Sequence, residues 1–229
     1  MPSIELLNNQ IKYIIRNKTI KFNDDFNEPL DDYGEILSNY KIVEFGLLFN
    51  KPIEHLPDSL THLTFGWYFN KSVLLPNSLI DLIFGNFFNQ SVLLPNSLIY
   101  LTFGWHFNQS VLLPNSLTHL TFGYAFDKNI RLPTFLTHLI CNKNFNKNIE
   151  LPENLLFIKI FNPTIEIIEK IPNSVKELWI YCFHNSSLRL DNLPNSIEKL
   201  EMYCCDDYQI ITPASLKCLK INDKEIQFD

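Results

Sequence analysis

Two histidines a fixed interval apart, His119 and His138, are the side chains in this sequence most able to share a chemical task. The interval is 19 residues, and it recurs along the chain. If each interval is one turn of a stack, the two imidazoles lie about 5 Å apart on adjacent turns, close enough to share an ion. Zinc asks for three or four protein ligands, and the next residue in that column is Tyr100, a poor donor. A His138–Cys141 dyad fails because residues three apart on a strand face opposite sides. The vicinal Cys204–Cys205 reads as a structural pair. The sequence has no glycine-rich phosphate loop, paired-carboxylate site or nucleophile elbow. No catalytic residue, metal or cofactor is therefore expected, and the chain is read as a non-enzyme.

What the interval does offer is recognition. Prolines at Pro57, Pro76, Pro95, Pro114, Pro133 and Pro152 are 19 residues apart, and Pro172, Pro194 and Pro213 follow at 20, 22 and 19. A period in this range marks a stacked repeat. Counting from each proline, aliphatic residues recur at +3 and +6, and phenylalanine or an aliphatic at +8. The +6/+8 pair with polar neighbours has the period of a half-buried strand. Residues at +5, +7 and +10 are then expected on the open, concave face. They are His62, Asp81, Tyr100, His119 and His138; Thr64, Ile83, Thr102, Thr121 and Ile140; and Trp67, Asn86, Trp105, Tyr124 and Lys143. Amphipathic aromatic side chains are favoured interface anchors, so the expected partner is an unidentified protein or peptide, on a strip centred on Trp67, Trp105 and Tyr124.

The elements that must position these columns follow from the same register. The strand is short, because Gly66, Gly85, Gly104 and Gly123 follow at +9, where glycine permits a bend. Proline cannot donate to a ladder and belongs to the connecting turn. Ten residues leave no room for a helix, so the return path is expected to be extended, with Phe69, Phe88, Phe107, Phe126 and Phe145 at +12 and Val73, Val92, Val111, Ile130 and Ile149 at +16 pointing inward. The asparagines at +13 (Asn70, Asn89, Asn108, Asn146) and the Asn–Ser pairs after each proline are expected to satisfy backbone groups of neighbouring turns.

The blocks LPNSLTHLTFG, FNQSV and FNKPI closely resemble the FNIP repeat, clearly so from Ser38 to Ile149, and the LxxLxF core resembles the leucine-rich repeat. The FNIP family occurs in social amoebae and giant DNA viruses of amoebae. The resemblance implies a mainly β, leucine-rich-repeat-like solenoid with a curved parallel sheet and an interaction role. It supplies no catalytic residues. Some relatives join such repeats to an F-box, which recruits ubiquitin-ligase machinery. Too few residues precede the first degenerate repeat here for an F-box, so that link would run through a separate protein.

The expected layout is an N-terminal cap over 1–19, degenerate repeats over 20–53, regular repeats over 56–150 and degenerate repeats over 151–229. Ile4, Leu7, Ile11 and Ile14 fall at helical spacing, which predicts a capping helix. A formal charge of −6 argues against a nucleic-acid partner, and no apolar stretch or basic patch suggests a membrane. The first residues lack a secretion signal and the five cysteines lack a disulfide pattern, so a cytoplasmic location is expected, the host's for a viral chain. Drifting end repeats predict a monomer. The alternative is a self-associating scaffold whose turns stack end to end.

Overall fold

The computed structural model describes residues 3–7, 10–141, 149–182, 188–204 and 208–228, in two compact units, 1–117 and 118–229. Both are mainly β and are assembled from the same turn of chain, a β-solenoid.

Residues 1–117 form one sheet whose strands follow chain order: β1 (Ser3–Leu7), β2 (Gln10–Arg16), β3 (Thr19–Phe22), β4 (Ile42–Glu44), β5 (His62–Thr64), β6 (Asp81–Ile83) and β7 (Tyr100–Thr102). From β3 onward the strands are parallel, and Ile20, Val43, Leu63, Leu82 and Leu101 lie side by side without a register shift. Each of these central residues is buried while its flanking residues are at least partly open. That is the period-2 pattern the sequence carries at +5, +6 and +7. The proline stays in the turn, where the Pro76 carbonyl accepts the Leu79 amide at 3.3 Å.

Behind the sheet run two columns of phenylalanine. Phe22, Phe45, Phe65, Phe84 and Phe103 stack at 5.2–5.6 Å between centroids. Phe26, Phe49, Phe69, Phe88 and Phe107 stack at 5.9–6.1 Å. Within a turn the two rings are closer still, 3.8 Å for Phe84 and Phe88. A lone turn buries little of this surface, so the stack itself supplies the core.

The glycines serve a purpose other than the one expected. None has a positive φ, so no bend forbidden to other residues is involved. At Gly85 a Cβ would lie 1.8 Å from the Gly66 carbonyl oxygen, and at Gly66 equally close to that of Gly46. Close approach of successive backbones is what excludes a side chain there.

The polar ladders are as expected at the described asparagines, with Asn146, like Phe145 of the +12 column, outside the described residues. The Asn50, Asn70 and Asn89 side-chain carbonyls accept the amides of Asn70, Asn89 and Asn108 at 2.9–3.0 Å. Of the Asn–Ser pairs it is the serine that carries the bond: Ser97 and Ser116 donate to the Leu79 and Leu98 carbonyls of the preceding turn. The described parts of the regular return limbs contain no helix, but Val73, Val92 and Val111 are only half-buried, because the paired phenylalanines already fill the interior.

The predicted N-terminal helix is absent, and the segment forms antiparallel strands. Asn17 and Lys18, at φ 48° and 66°, make the two-residue hairpin that turns β2 into β3. Pairing in this hairpin imposes period 2, so Tyr13 points inward while Ile14, which helical spacing would bury, is exposed. The helices that do occur are single turns in degenerate repeats, such as α1 (Gly34–Leu37).

Residues 118–229 contain β8 (His119–Thr121), β9 (His138–Cys141), β10 (Phe157–Phe161), β11 (Glu177–Tyr181), β13 (Lys199–Tyr203), β15 (Cys218–Ile221) and β16 (Lys224–Gln227) in one sheet. A separate parallel pair joins β12 (Leu188–Leu190) to β14 (Tyr208–Ile210). Among the described strands of this unit only β15–β16 is an antiparallel pair, through a second positive-φ turn at Asn222 and Asp223. From β10 the glycine at +9 gives way to Phe161, Tyr181 and Tyr203, and the strands lengthen to five residues. Smaller side chains, Cys141, Ile160, Ile180 and Met202, replace the inner phenylalanines, and the one-turn helix α2 (Ile165–Ile168) buries Ile167 and Ile168.

Candidate functional site

The strand columns fall on one open face in each unit. In residues 1–117 that face carries His62, Asp81 and Tyr100 in one row and Thr64, Ile83 and Thr102 in the next. The His62 ring is fixed by a 2.8 Å bond between Nδ1 and Thr61 Oγ1. The Asp81 amide donates to the Thr61 carbonyl at 3.1 Å, while its carboxylate makes no hydrogen bond to any described residue. Partial burial pushes its carboxyl above the usual range, and nearby His62 pulls it partly back.

In residues 118–229 the His119 and His138 rings stack at 4.1 Å, only 11° from parallel. Each Nδ1 is held by a neighbouring threonine hydroxyl, Thr118 at 2.8 Å and Thr137 at 2.9 Å. Parallel rings direct their Nε2 lone pairs side by side rather than toward one point, so the pair does not chelate. Burial holds both imidazoles below their ordinary pKa; His138 lowers His119 further, and Glu177 offsets part of the effect at His138. Among the described residues no group of three or more His, Cys, Asp or Glu could hold a metal. Cys141 faces the core, opposite His138, and burial pushes its thiol far up. Thr121 lies beside Ile140.

The +10 column lies elsewhere. Trp67, Asn86 and Trp105, with Tyr124 in the second unit, occupy the turn after the strand, because alternation ends where the glycine packs on the preceding carbonyl. Trp67 and Trp105 are 47% and 51% exposed and flank Asn86, whose side chain accepts the Trp105 amide at 3.3 Å. Lys143 lies outside the described residues. The neighbouring +11 column, which sequence reasoning passed over, is the continuous one: Tyr68, Phe87 and His106 stack at 5.2 and 4.8 Å with their outer faces open. Leu47 and Leu48 extend this ridge by one turn. Its signal was present, since the three rings recur at the 19-residue interval.

A second aromatic group, on the sheet face of residues 118–229, was also missed. The Lys159 ammonium lies 4.3 Å from the Tyr181 ring centroid and 5.1 and 5.2 Å from those of Trp179 and Phe161. Burial lowers its pKa. Glu201, the one buried charged residue among those described, accepts the Tyr181 hydroxyl at 3.2 Å and faces Lys220 at 3.8 Å. Burial first, then Glu201, pushes Tyr181 up to about 12. Glu177 accepts Trp179 Nε1 at 2.7 Å and Lys199 at 2.6 Å. Glu177 and Lys199 continue the +5 column, Lys159, Trp179, Glu201 and Lys220 the +7 column, and Phe161 and Tyr181 stand at +9, and the mixture of types within each column hides them from periodicity.

Comparison with known proteins adds a family and a fold. The FNIP Repeat family matches residues 49–87 and 88–125. No curated protein matches the sequence. Among solved structures, CroV588, a circular leucine-rich-repeat protein of a giant virus, is similar, with a TM-score of 0.60 and 29% identity over 93% of this chain. The chain spans 45% of the length of that protein. FNIP repeats on a leucine-rich-repeat-like solenoid are non-catalytic repeat folds. Among the described residues no helix is long and apolar enough to cross a membrane. Residues 49–125 thus carry two matches to the FNIP repeat, and the chain has a leucine-rich-repeat-like β-solenoid fold.

Proposed function

We propose that the chain is a cytoplasmic, non-catalytic recognition module whose protein or peptide partner lays an apolar segment along the turn ridge of residues 1–117. The supporting observation is the ridge itself: Trp67 and Trp105, about half exposed, beside the open ladder Tyr68–Phe87–His106. Stacking accounts for the ladder, but the two tryptophans are separated by the Asn86 turn and do not stack on each other through it. Folded domains rarely leave large aromatic patches open unless something covers them, and tryptophan and tyrosine dominate binding hot spots. Against catalysis, no nucleophile, base and orienting group converge among the described residues. The acidic balance argues against a nucleic-acid partner. An adaptor role toward ubiquitin-ligase machinery would run through a separate protein.

The test compares capture by the native chain and by the Trp67→Ala/Phe87→Ala/Trp105→Ala variant, with melting curves to confirm that both fold. A partner held by the native chain and lost by the variant supports the ridge. A partner held equally by both refutes it.

A further inference from the structure

On the return limb of three successive turns, Leu74, Leu93 and Leu112 stand 76%, 85% and 88% exposed. Single exposed leucines are ordinary, but a column of three at the same place in the repeat is not. Two grooves of about 460 and 430 Å³ open between them. Val73, Leu75, Val92 and Leu94 line the first, and Val92, Leu94, Val111 and Leu113 line the second. The other residues lining the grooves are uncharged, mostly serines, asparagines and prolines, and along the sequence the place of Leu74 is taken by Glu54 before the column and by Arg131 after it.

We propose that this comb of leucines is where a second copy of the chain docks, forming a twofold dimer. Three observations select that occupant. The surface alternates protrusions and grooves, so about a twofold axis displaced by half a turn, two leucines of each copy enter the two grooves of the other. Copies carrying a net charge of −6 repel one another, and the comb is a stretch where that repulsion is least. The leucines that protrude and the valines and leucines that line the grooves are alike apolar, so the same patch supplies both halves of an isologous contact. The comb lies in a different part of the turn from the tryptophan ridge, so dimerisation leaves that ridge open. The monomer expected from the drifting end repeats considered only end-to-end stacking, whereas this contact is lateral.

Sedimentation equilibrium and light scattering on the full chain across the micromolar range provide the test. The native mass is expected to rise from 26.9 kDa toward twice that value. Leu74→Ser/Leu93→Ser should weaken association by at least about tenfold, with the native circular dichroism spectrum and, at concentrations where both chains are monomeric, the native melting curve, because both side chains are solvent-facing in the monomer. Leu93→Met should associate as the native chain does. The ridge variant Trp67→Ala/Phe87→Ala/Trp105→Ala should dimerise normally, which separates failure of this inference from failure of the recognition reading. A native chain that stays monomeric overturns the proposal, as does a dimer indifferent to the serine substitutions. So does a different protein that needs the leucines while the chain itself remains monomeric.

Discussion

Replacing Asn89 by alanine tests whether the asparagine ladder holds successive turns together. The Asn89 side-chain carbonyl accepts two bonds from the next turn, the Asn108 amide at 2.9 Å and Gln109 Nε2 at 3.2 Å. Gln109 can turn its amide to water, so its loss counts for little. The part-buried Asn108 amide cannot, and an unsatisfied buried donor costs about 1–3 kcal/mol. The expected destabilisation is therefore about 2 kcal/mol, or about 4–8 °C in melting temperature for a chain of this size. The ladder uses only the carbonyl oxygen, so Asn89→Asp should stay within about 0.5 kcal/mol of the native chain. Asp127 already occupies the corresponding position of a regular repeat. Urea titration followed by circular dichroism gives the stabilities, and amide exchange at Asn108 reports the lost bond directly. If Asn89→Ala melts with the native chain, or Asn89→Asp is as damaging as Asn89→Ala, the ladder does not hold the turns.

Gly85→Ala places a Cβ 1.8 Å from a backbone oxygen that no rotamer can move aside, and should cost about 3 kcal/mol in a urea titration. The stacked His119 and His138 are held below their ordinary pKa near 6.5, so the unfolded chain takes up their protons first. Stability from this pair is complete above that pH and is lost as pH falls through it. The fall in melting temperature from neutral to mildly acidic pH should therefore be smaller in His119→Gln/His138→Gln, and an equal fall would contradict the assignment. Asp81 has the opposite sign: its raised pKa means the ionised form is disfavoured in the fold, at a cost that grows as pH rises. Asp81→Asn should raise the melting temperature at neutral pH and raise it less in acid; a lower value at neutral pH would overturn the reasoning.

The sequence made legible whatever burial imposes on a repeated position. Leu63, Leu82 and Leu101 at +6 and the paired phenylalanines at +8 and +12 recur because each must fit the same interior. The Asn89 and Ser97 ladders were legible for the related reason that every turn has the same backbone groups to satisfy. The reading failed where local geometry overrides periodicity. Ile4, Leu7, Ile11 and Ile14 have helical spacing by coincidence, and the positive-φ pair Asn17–Lys18 decides for a hairpin. Trp67 and Trp105 were assigned to the sheet by continuing an alternation that the glycine contact ends. The group around Lys159 was invisible to periodicity because Phe161, Trp179 and Glu201 occur once each, and only a fold brings them together.

Register between the regular turns has a cost in folding. The 19-residue blocks from Leu75 and Leu94 differ only at Asp81/Tyr100, Ile83/Thr102, Asn86/Trp105 and Phe87/His106. Each of these positions is at least partly open, and none belongs to the buried core. A growing stack that skipped one block would meet the same leucines, the same rings and the same carbonyls, with only a looped-out segment to mark the mistake. Core packing has no means of proofreading it. The correct order must be written in the irregular turns, in α1, in Cys141 where a phenylalanine would otherwise stand, and in α2, which act as addresses within an otherwise unnumbered series. The same indifference makes the number of regular turns adjustable: a whole block could be gained or lost, and its neighbours would close over the change.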